Sequence, residues 1–105
     1  IKAVEAPDYQ LKFKINRFDT DIIKHLNNIR YLQWLIETIP LAITDSYYLI
    51  SIDGRFIAEA HYGQTILLLT KTITDGEDIS YLHTMKIEET GKVCATAKTV
   101  WREID

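Results

Sequence analysis

An aspartate and a histidine, Asp21 and His25, lie four residues apart directly before a segment whose apolar residues have helical spacing. The first N–H groups of a helix have no partner within the helix, and together with the helix dipole they favour negative charge. A carboxylate at this place can take a proton from water, while the N–H groups stabilise charge that develops on a carbonyl oxygen. The position therefore suits acyl transfer.

The helix that would position these groups is predicted to follow Asn27 and Asn28, whose side chains can cap it, and to stop at Pro40. This spacing predicts one helix of about three turns. Because its apolar side chains lie on several sides, we expect a helix that is hydrophobic nearly all round and enclosed by a sheet. The apolar residues in question are Ile29, Tyr31, Leu32, Trp34, Leu35, Ile36 and Ile39.

Five segments have the alternating pattern of strands, and one of them precedes the predicted helix. After the helix we expect a long strand, bent or bulged near Gly54, that places Glu59 on the same face as Ile57 and His61. Turn signals at Tyr62-Gly63, Asp75-Gly76 and Glu89–Gly91 separate the remaining strands. The element order predicts an α+β hotdog fold, in which an antiparallel five-stranded sheet wraps around one central helix.

Composition limits the classes of protein that fit. With 105 residues, of which 47% are hydrophobic and 26% charged, the chain makes one domain over residues 1–105. A net charge of −3 disfavours nucleic acid as a partner, and no apolar run exceeds four residues, so no membrane span is expected. The single cysteine, Cys94, fits a reducing, cytoplasmic location. Since Met85 is the only methionine, we expect a partial chain.

Several separated segments resemble one enzyme family. The run Asp19–Tyr31 resembles the D-x-D-x-N-x-H-V-N-N-x-x-Y signature of acyl-carrier-protein thioesterases, and Trp34–Pro40 continues the match. Tyr81–Glu88 and Ala97–Arg102 are similar to the closing strands of that family. Its members fuse two hotdog halves in one polypeptide, and this signature belongs to the second. The resemblance implies that the chain is one half of a double-hotdog protein.

The resemblance also implies a reaction and its residues. The family hydrolyses the thioester between a fatty acyl group and acyl carrier protein, which releases free fatty acid without a metal or a cofactor. The family's acid falls on Asp21, its histidine on His25 and its strand glutamate on Glu59. Either acid would take the proton from water, and His25 would orient water or substrate. An acyl-CoA thioesterase would differ only in its substrate.

Each of these residues also has a structural interpretation. His25 can tie the loop before the helix to the sheet, Asp21 can cap the helix, and Glu59 can be a solvated strand residue. Ile23 stands where the family has asparagine, and Ala60 stands where plant members have cysteine. A second hypothesis is therefore a non-catalytic, structural or acyl-binding half. In both cases exposed sheet edges favour pairing, with a second hotdog half or as a homodimer.

Overall fold

The computed structural model describes residues 3–21 and 28–104, and for residues 74 and 75 the backbone alone. Across these residues five antiparallel strands form one sheet in the order β1-β3-β4-β5-β2, which confirms the predicted α+β fold. The elements are β1 (Tyr9–Lys14), a 3-10 turn (Arg17–Asp19), α1 (Asn28–Glu37), α2 (Leu41–Ser46), β2 (Tyr47–Phe56), β3 (Thr65–Asp75), β4 (Asp78–Ile87) and β5 (Lys92–Glu103).

The predicted turns join the strands at the expected glycines. Between β3 and β4 the loop contains Gly76, whose φ of 70° lies in the left-handed region that only glycine adopts without strain. Between β4 and β5, Gly91 has a φ of 73°, and its N–H donates to the Ile87 carbonyl at 2.8 Å. Local turn chemistry therefore fixes the register of these hairpins.

The strand after the helices differs from the prediction at two places. Its irregularity lies between Leu49 and Ser51, whereas Gly54 pairs regularly with Ala97. The strand then ends at Phe56, because the N–H groups of residues 57 and 58 both donate to the carbonyl of Cys94, at 2.9 and 3.2 Å. The prediction that Glu59 belongs to a continuing strand is therefore wrong, since Glu59 follows the end of β2.

Pro40 separates two helices where the sequence predicted one. Proline disfavours helical geometry at the residue before it, and α1 ends at Glu37. The carbonyl of Pro40 then accepts from the N–H groups of Ile43 and Thr44, which begins α2. Helix α2 packs over a small core of Ile39, Tyr81 and Trp101. Pro40 thus ends one helix and begins the next.

The sheet covers one side of α1. Tyr31, Trp34 and Leu35 are buried in the main core, and Trp34 stacks on Phe13 of β1 with ring centroids 4.7 Å apart. On the other side the apolar side chains Ile29, Leu32 and Ile36 remain 61%, 46% and 42% exposed. The prediction of a sheet that wraps around the helix is therefore confirmed for one side of α1, while these three side chains stay at the surface, where the sequence predicted burial.

A chain of buried hydrogen bonds joins the end of α1 to the sheet. The Thr38 hydroxyl donates to the Leu35 carbonyl at 3.0 Å, so the Thr70 hydroxyl must donate to Thr38, at 2.7 Å. Thr70 then accepts from Nδ1 of His83 at 2.8 Å. Nε2 of His83 accepts from Thr99 at 2.8 Å. The network thus assigns a neutral His83 that carries its proton on Nδ1.

This buried histidine should make stability depend on pH. Burial lowers the pKa of His83 to about 4, below the ordinary value of 6.5. Between these values the unfolded chain binds a proton that the folded chain does not, so the free energy of unfolding falls as the pH falls from 6.5 to 4. We expect a loss of about 3 kcal/mol in chemical denaturation. The variant His83→Gln should lack this contribution; equal pH dependence in both proteins would contradict the assignment.

Candidate functional site

The structure describes two of the three predicted site residues. Asp21 is exposed and follows the 3-10 turn, and Glu59 is exposed and follows β2. His25 lies outside the described residues, as do Ile23 and Asn27. The predicted meeting of all three groups therefore stays a prediction.

Glu59 lies near the first turn of α1. Its neighbours in sequence anchor it there, because Ala60 is buried in the main core and Ala58 packs against that core. The pKa of Tyr31 is raised, first by burial, then by Cys94, and also by the charge of Glu59. Since Tyr31 belongs to the first turn of α1, the Glu59 carboxylate lies within electrostatic reach of the helix start.

The Tyr31 side chain shares the main core with Cys94 of β5. The Cys94 thiol donates to the Met85 carbonyl at 3.4 Å. Burial raises the pKa of Cys94, which keeps the thiol protonated and unreactive. Core packing therefore fastens α1 to β5.

An ion pair fixes the loop before Asp21 against α1. Asp19 is buried, and its carboxylate accepts from the N–H of Asn16 at 2.9 Å and pairs with Arg30 at 3.2 Å. The Asn16 side chain in turn accepts from the N–H of Phe18 at 3.1 Å, which completes a capping box. The spacing of Asn16 and Asp19 carried this signal in the sequence, but only the fold could supply Arg30 as the partner.

A cavity of about 290 Å³ lies between α1 and the sheet. Tyr31, Leu32 and Leu35 line it from the helix, and small residues line it from the strands. The small residues are Gly54, Ala95 and Ala97. Its volume lies near the lower limit for small-molecule sites in proteins, about 300 Å³. An apolar cavity thus begins at the end of α1 where Glu59 lies.

The arrangement offers two chemical functions. A carboxylate near the start of a helix can activate water, and the positive end of the helix dipole can stabilise an oxyanion. The adjacent cavity can hold an apolar group. Within the ranges 3–21 and 28–104, no three histidine, cysteine, aspartate or glutamate side chains form a metal-binding group, and no helix combines the length and apolar character that crossing a bilayer takes.

Comparison with known proteins identifies relatives. The family model described as acyl-ACP thioesterase C-terminal domain matches residues 2–103. A chloroplastic dodecanoyl-[acyl-carrier-protein] hydrolase of Cinnamomum camphora is 33% identical over 87 residues, which cover 80% of this chain and 22% of that protein. The chloroplastic oleoyl-acyl carrier protein thioesterase 2 of Arabidopsis thaliana is 26% identical over 113 residues, covering 89% of this chain and 31% of that protein.

A solved structure has the same fold. The 12:0-ACP thioesterase from Umbellularia californica superposes with a TM-score of 0.85 at 24% identity, covering 99% of this chain and 40% of that one. This likeness confirms the hotdog fold. The chain spans less than a third of the two plant relatives compared above.

The ion pair of Asp19 can be tested by substitution. In Asp19→Ala the Asn16 N–H and the Arg30 guanidinium lose their acceptor, so we expect the free energy of unfolding to fall by about 2 kcal/mol. Asp45→Ala is the matched control, because Asp45 is exposed on α2 and its loss should change stability little. Urea denaturation measures both. Equal stabilities of the two variants would show that Asp19 does not hold the loop.

Proposed function

The chain belongs to the acyl-ACP thioesterase family, whose C-terminal domain it matches, and from this premise we propose that it hydrolyses fatty acyl thioesters of acyl carrier protein. The observation that supports the proposal is the position of Glu59 beside Ala60, which is buried in the same core as Tyr31 of the first turn of α1. That turn directly follows the signature segment with Asp21 and His25. An acid is therefore available at the helix end where the family signature lies.

In the proposed reaction, the carboxylate of Glu59 or Asp21 takes a proton from water as the water oxygen attacks the acyl carbonyl carbon. The carbonyl oxygen becomes negative, and the positive end of the α1 dipole stabilises it. His25 orients the water or the carbonyl. When the carbon–sulfur bond breaks, the carboxylic acid returns its proton to the departing thiolate. Free fatty acid and the thiol of the carrier are the products, and the step uses neither metal nor cofactor.

The substrate and the setting follow from the relatives. Those named above act on thioesters of acyl carrier protein, so we propose the carrier protein rather than CoA as the acyl donor. Release of free fatty acid from that carrier would place the reaction in fatty acid biosynthesis. The cytoplasmic location stays a prediction, since the two plant relatives are named as chloroplastic.

In the part of the chain that the structure describes, one edge of the sheet has no paired strand and one side of α1 is exposed, and both features favour a partner. Strand β2 ends the sheet, and in it Ile52 and Phe56 are 44% and 52% exposed. The exposed apolar side of α1 borders the same cavity as these two residues. We propose that this surface pairs with a second hotdog half, either covalently joined or contributed by an identical chain. A non-catalytic half would pair through the same surface. The second candidate function is therefore that of a non-catalytic, structural or acyl-binding half.

Substitution of the proposed site separates the two functions. We expect Glu59→Gln, Asp21→Asn and His25→Ala to lower kcat on dodecanoyl- or oleoyl-acyl carrier protein, on the order of 10²-fold for a group that transfers the proton. Glu77→Gln is the control, because Glu77 is an exposed residue in the turn between β3 and β4. The same assay with acyl-CoA tests the choice of carrier.

The second candidate function predicts the opposite result. If Glu59→Gln and His25→Ala hydrolyse as fast as the unsubstituted chain, the catalytic assignment is wrong. If the unsubstituted chain has no activity of its own but restores activity to a separate catalytic half, it acts as the non-catalytic partner.

Pairing through β2 is tested by a charge at its exposed side. In Ile52→Lys a paired surface would bury an ammonium group, so we expect the dissociation constant of a homodimer to rise at least about tenfold. Leu41→Lys is the control, because Leu41 is 76% exposed and belongs to α2 rather than to the strand that would pair. Sedimentation equilibrium measures both. A chain that is monomeric at all concentrations would exclude the homodimer, and a dimer equally stable in both variants would exclude pairing through β2.

A further inference from the structure

The short segment that carries Glu59 is held on both sides. Before Glu59, the N–H groups of residues 57 and 58 donate to one carbonyl of β5, at 2.9 and 3.2 Å. After it, His61 begins a turn in which the N–H of Gln64 donates to the His61 carbonyl at 3.1 Å. Glu59 itself is exposed. The carboxylate therefore reaches solvent from a backbone that is fixed within two residues on either side.

The side chain of Gln64 closes this turn a second time. Its Oε1 atom accepts from the N–H of His61 at 2.8 Å, and because a backbone N–H can only donate, the atom that faces it is the amide oxygen. Gly63 has a φ of 87° at the third position of the turn, which is typical of a type II turn and strained for residues with a side chain. Gln64 thus bonds both polar backbone groups of His61.

The same turn is bonded to the segment that leads to Asp21. The N–H of Gly63 donates to the Ile15 carbonyl at 3.0 Å, and the N–H of Ile15 donates to the Gln64 carbonyl at 2.9 Å. Ile15 is 1% exposed, so its side chain anchors this contact in the core. After Ile15, the capping box and the 3-10 turn hold the backbone as far as Thr20, the residue before Asp21. The segments of both proposed acids therefore meet at a contact that contains neither acid.

We propose that Gln64 is a positioning residue for the proposed hydrolysis: it bonds His61 and Ile15 at once, and so sets the place of Glu59 relative to the segment that leads to Asp21. The proposal rests on the proposed function, because Glu59 needs a fixed place only if it takes the proton from water. A displacement of about 1 Å at a reacting group can cost about 10²-fold in rate. Gln64 acts through the backbone, so it affects kcat rather than KM.

Substitution of the amide tests this positioning role. In Gln64→Met the side chain keeps a similar length, but its thioether is only a weak acceptor for the N–H of His61. We expect kcat on dodecanoyl-acyl carrier protein to fall by about tenfold with KM nearly unchanged. Gln64→Glu keeps the oxygen acceptor and should retain most of the activity. Gln10→Met is the matched control, because Gln10 is exposed on β1.

Amide hydrogen exchange tests the turn without requiring hydrolysis. By NMR at single-residue resolution, we expect the amides of His61 and Gly63 to exchange about fivefold faster in Gln64→Met than in the unsubstituted chain. The amides between β4 and β5 should exchange at unchanged rates. Should Gln64→Met not fold, as judged by thermal unfolding, Gln64→Asn makes the same test, because its amide oxygen is one methylene further from His61.

The outcomes separate the two proposals. If Gln64→Met lowers neither kcat nor the protection of the turn, or if Gln64→Glu loses as much activity as Gln64→Met, the positioning role is wrong. Activity that is lost in Glu59→Gln but kept in Gln64→Met would likewise overturn that role and retain the proposed function. A chain without hydrolysis whose turn loosens in Gln64→Met would overturn the proposed function and retain Gln64 as the residue that fixes the segment of Glu59.

Discussion

The structure depends on one geometric constraint: a sheet of five strands covers one side of α1. The helix has apolar residues on more sides than that, and burial of apolar surface is worth roughly 25 cal/mol per Å². Ile29, Leu32 and Ile36 therefore remain available for further burial. Among the described residues, no further strand pairs with the outer edge of β2, which lies on this same side as the cavity. The proposed partner would cover this apolar surface.

The candidate site is assembled by contacts that are distant in sequence. Arg30 holds Asp19, and with it the loop that leads to Asp21. Tyr31 and Cys94 fasten the first turn of α1 to β5, beside the segment that presents Glu59. None of these contacts involves the proposed proton transfer directly. They determine where the proposed reacting groups lie, because one contact ties the loop before Asp21 to α1 and the other ties α1 to β5.

The sequence predicted structural elements correctly where the residues that determine them lie close together in the chain. Strand alternation and the glycine turns predicted the strands and the β3–β4 and β4–β5 hairpins, since both depend on residues close together in the chain. They did not predict that β2 pairs with β5 rather than with β3. The sequence-based prediction was wrong where the deciding contact comes from a residue distant in the chain. That β2 ends at Phe56 depends on the Cys94 carbonyl, which accepts two N–H groups from the segment after β2.

Helix α2 and the exposed side of α1 were missed for related reasons. A helix of six residues has too short an apolar pattern to be distinguished from a loop. In the sequence, Pro40 indicates only the end of the preceding helix. Apolar residues around a helix predict that the helix will be covered, but they do not specify whether the chain's own sheet or a partner covers it. For the site, the positions of Asp21 and Glu59 in the family pattern were predictable, whereas Arg30 as the partner of Asp19 required the fold.

The hydrogen-bonded chain from Leu35 to Trp101 has a mechanical consequence. It crosses β3, β4 and β5 beneath the end of α1, so this end of the helix cannot slide or lift without breaking several buried bonds together. Strand β2, in contrast, is bonded to a neighbour on one side only. The end of α1 is therefore held by bonds to three strands at once, whereas β2, like β1 at the opposite edge of the sheet, is held through a single neighbour.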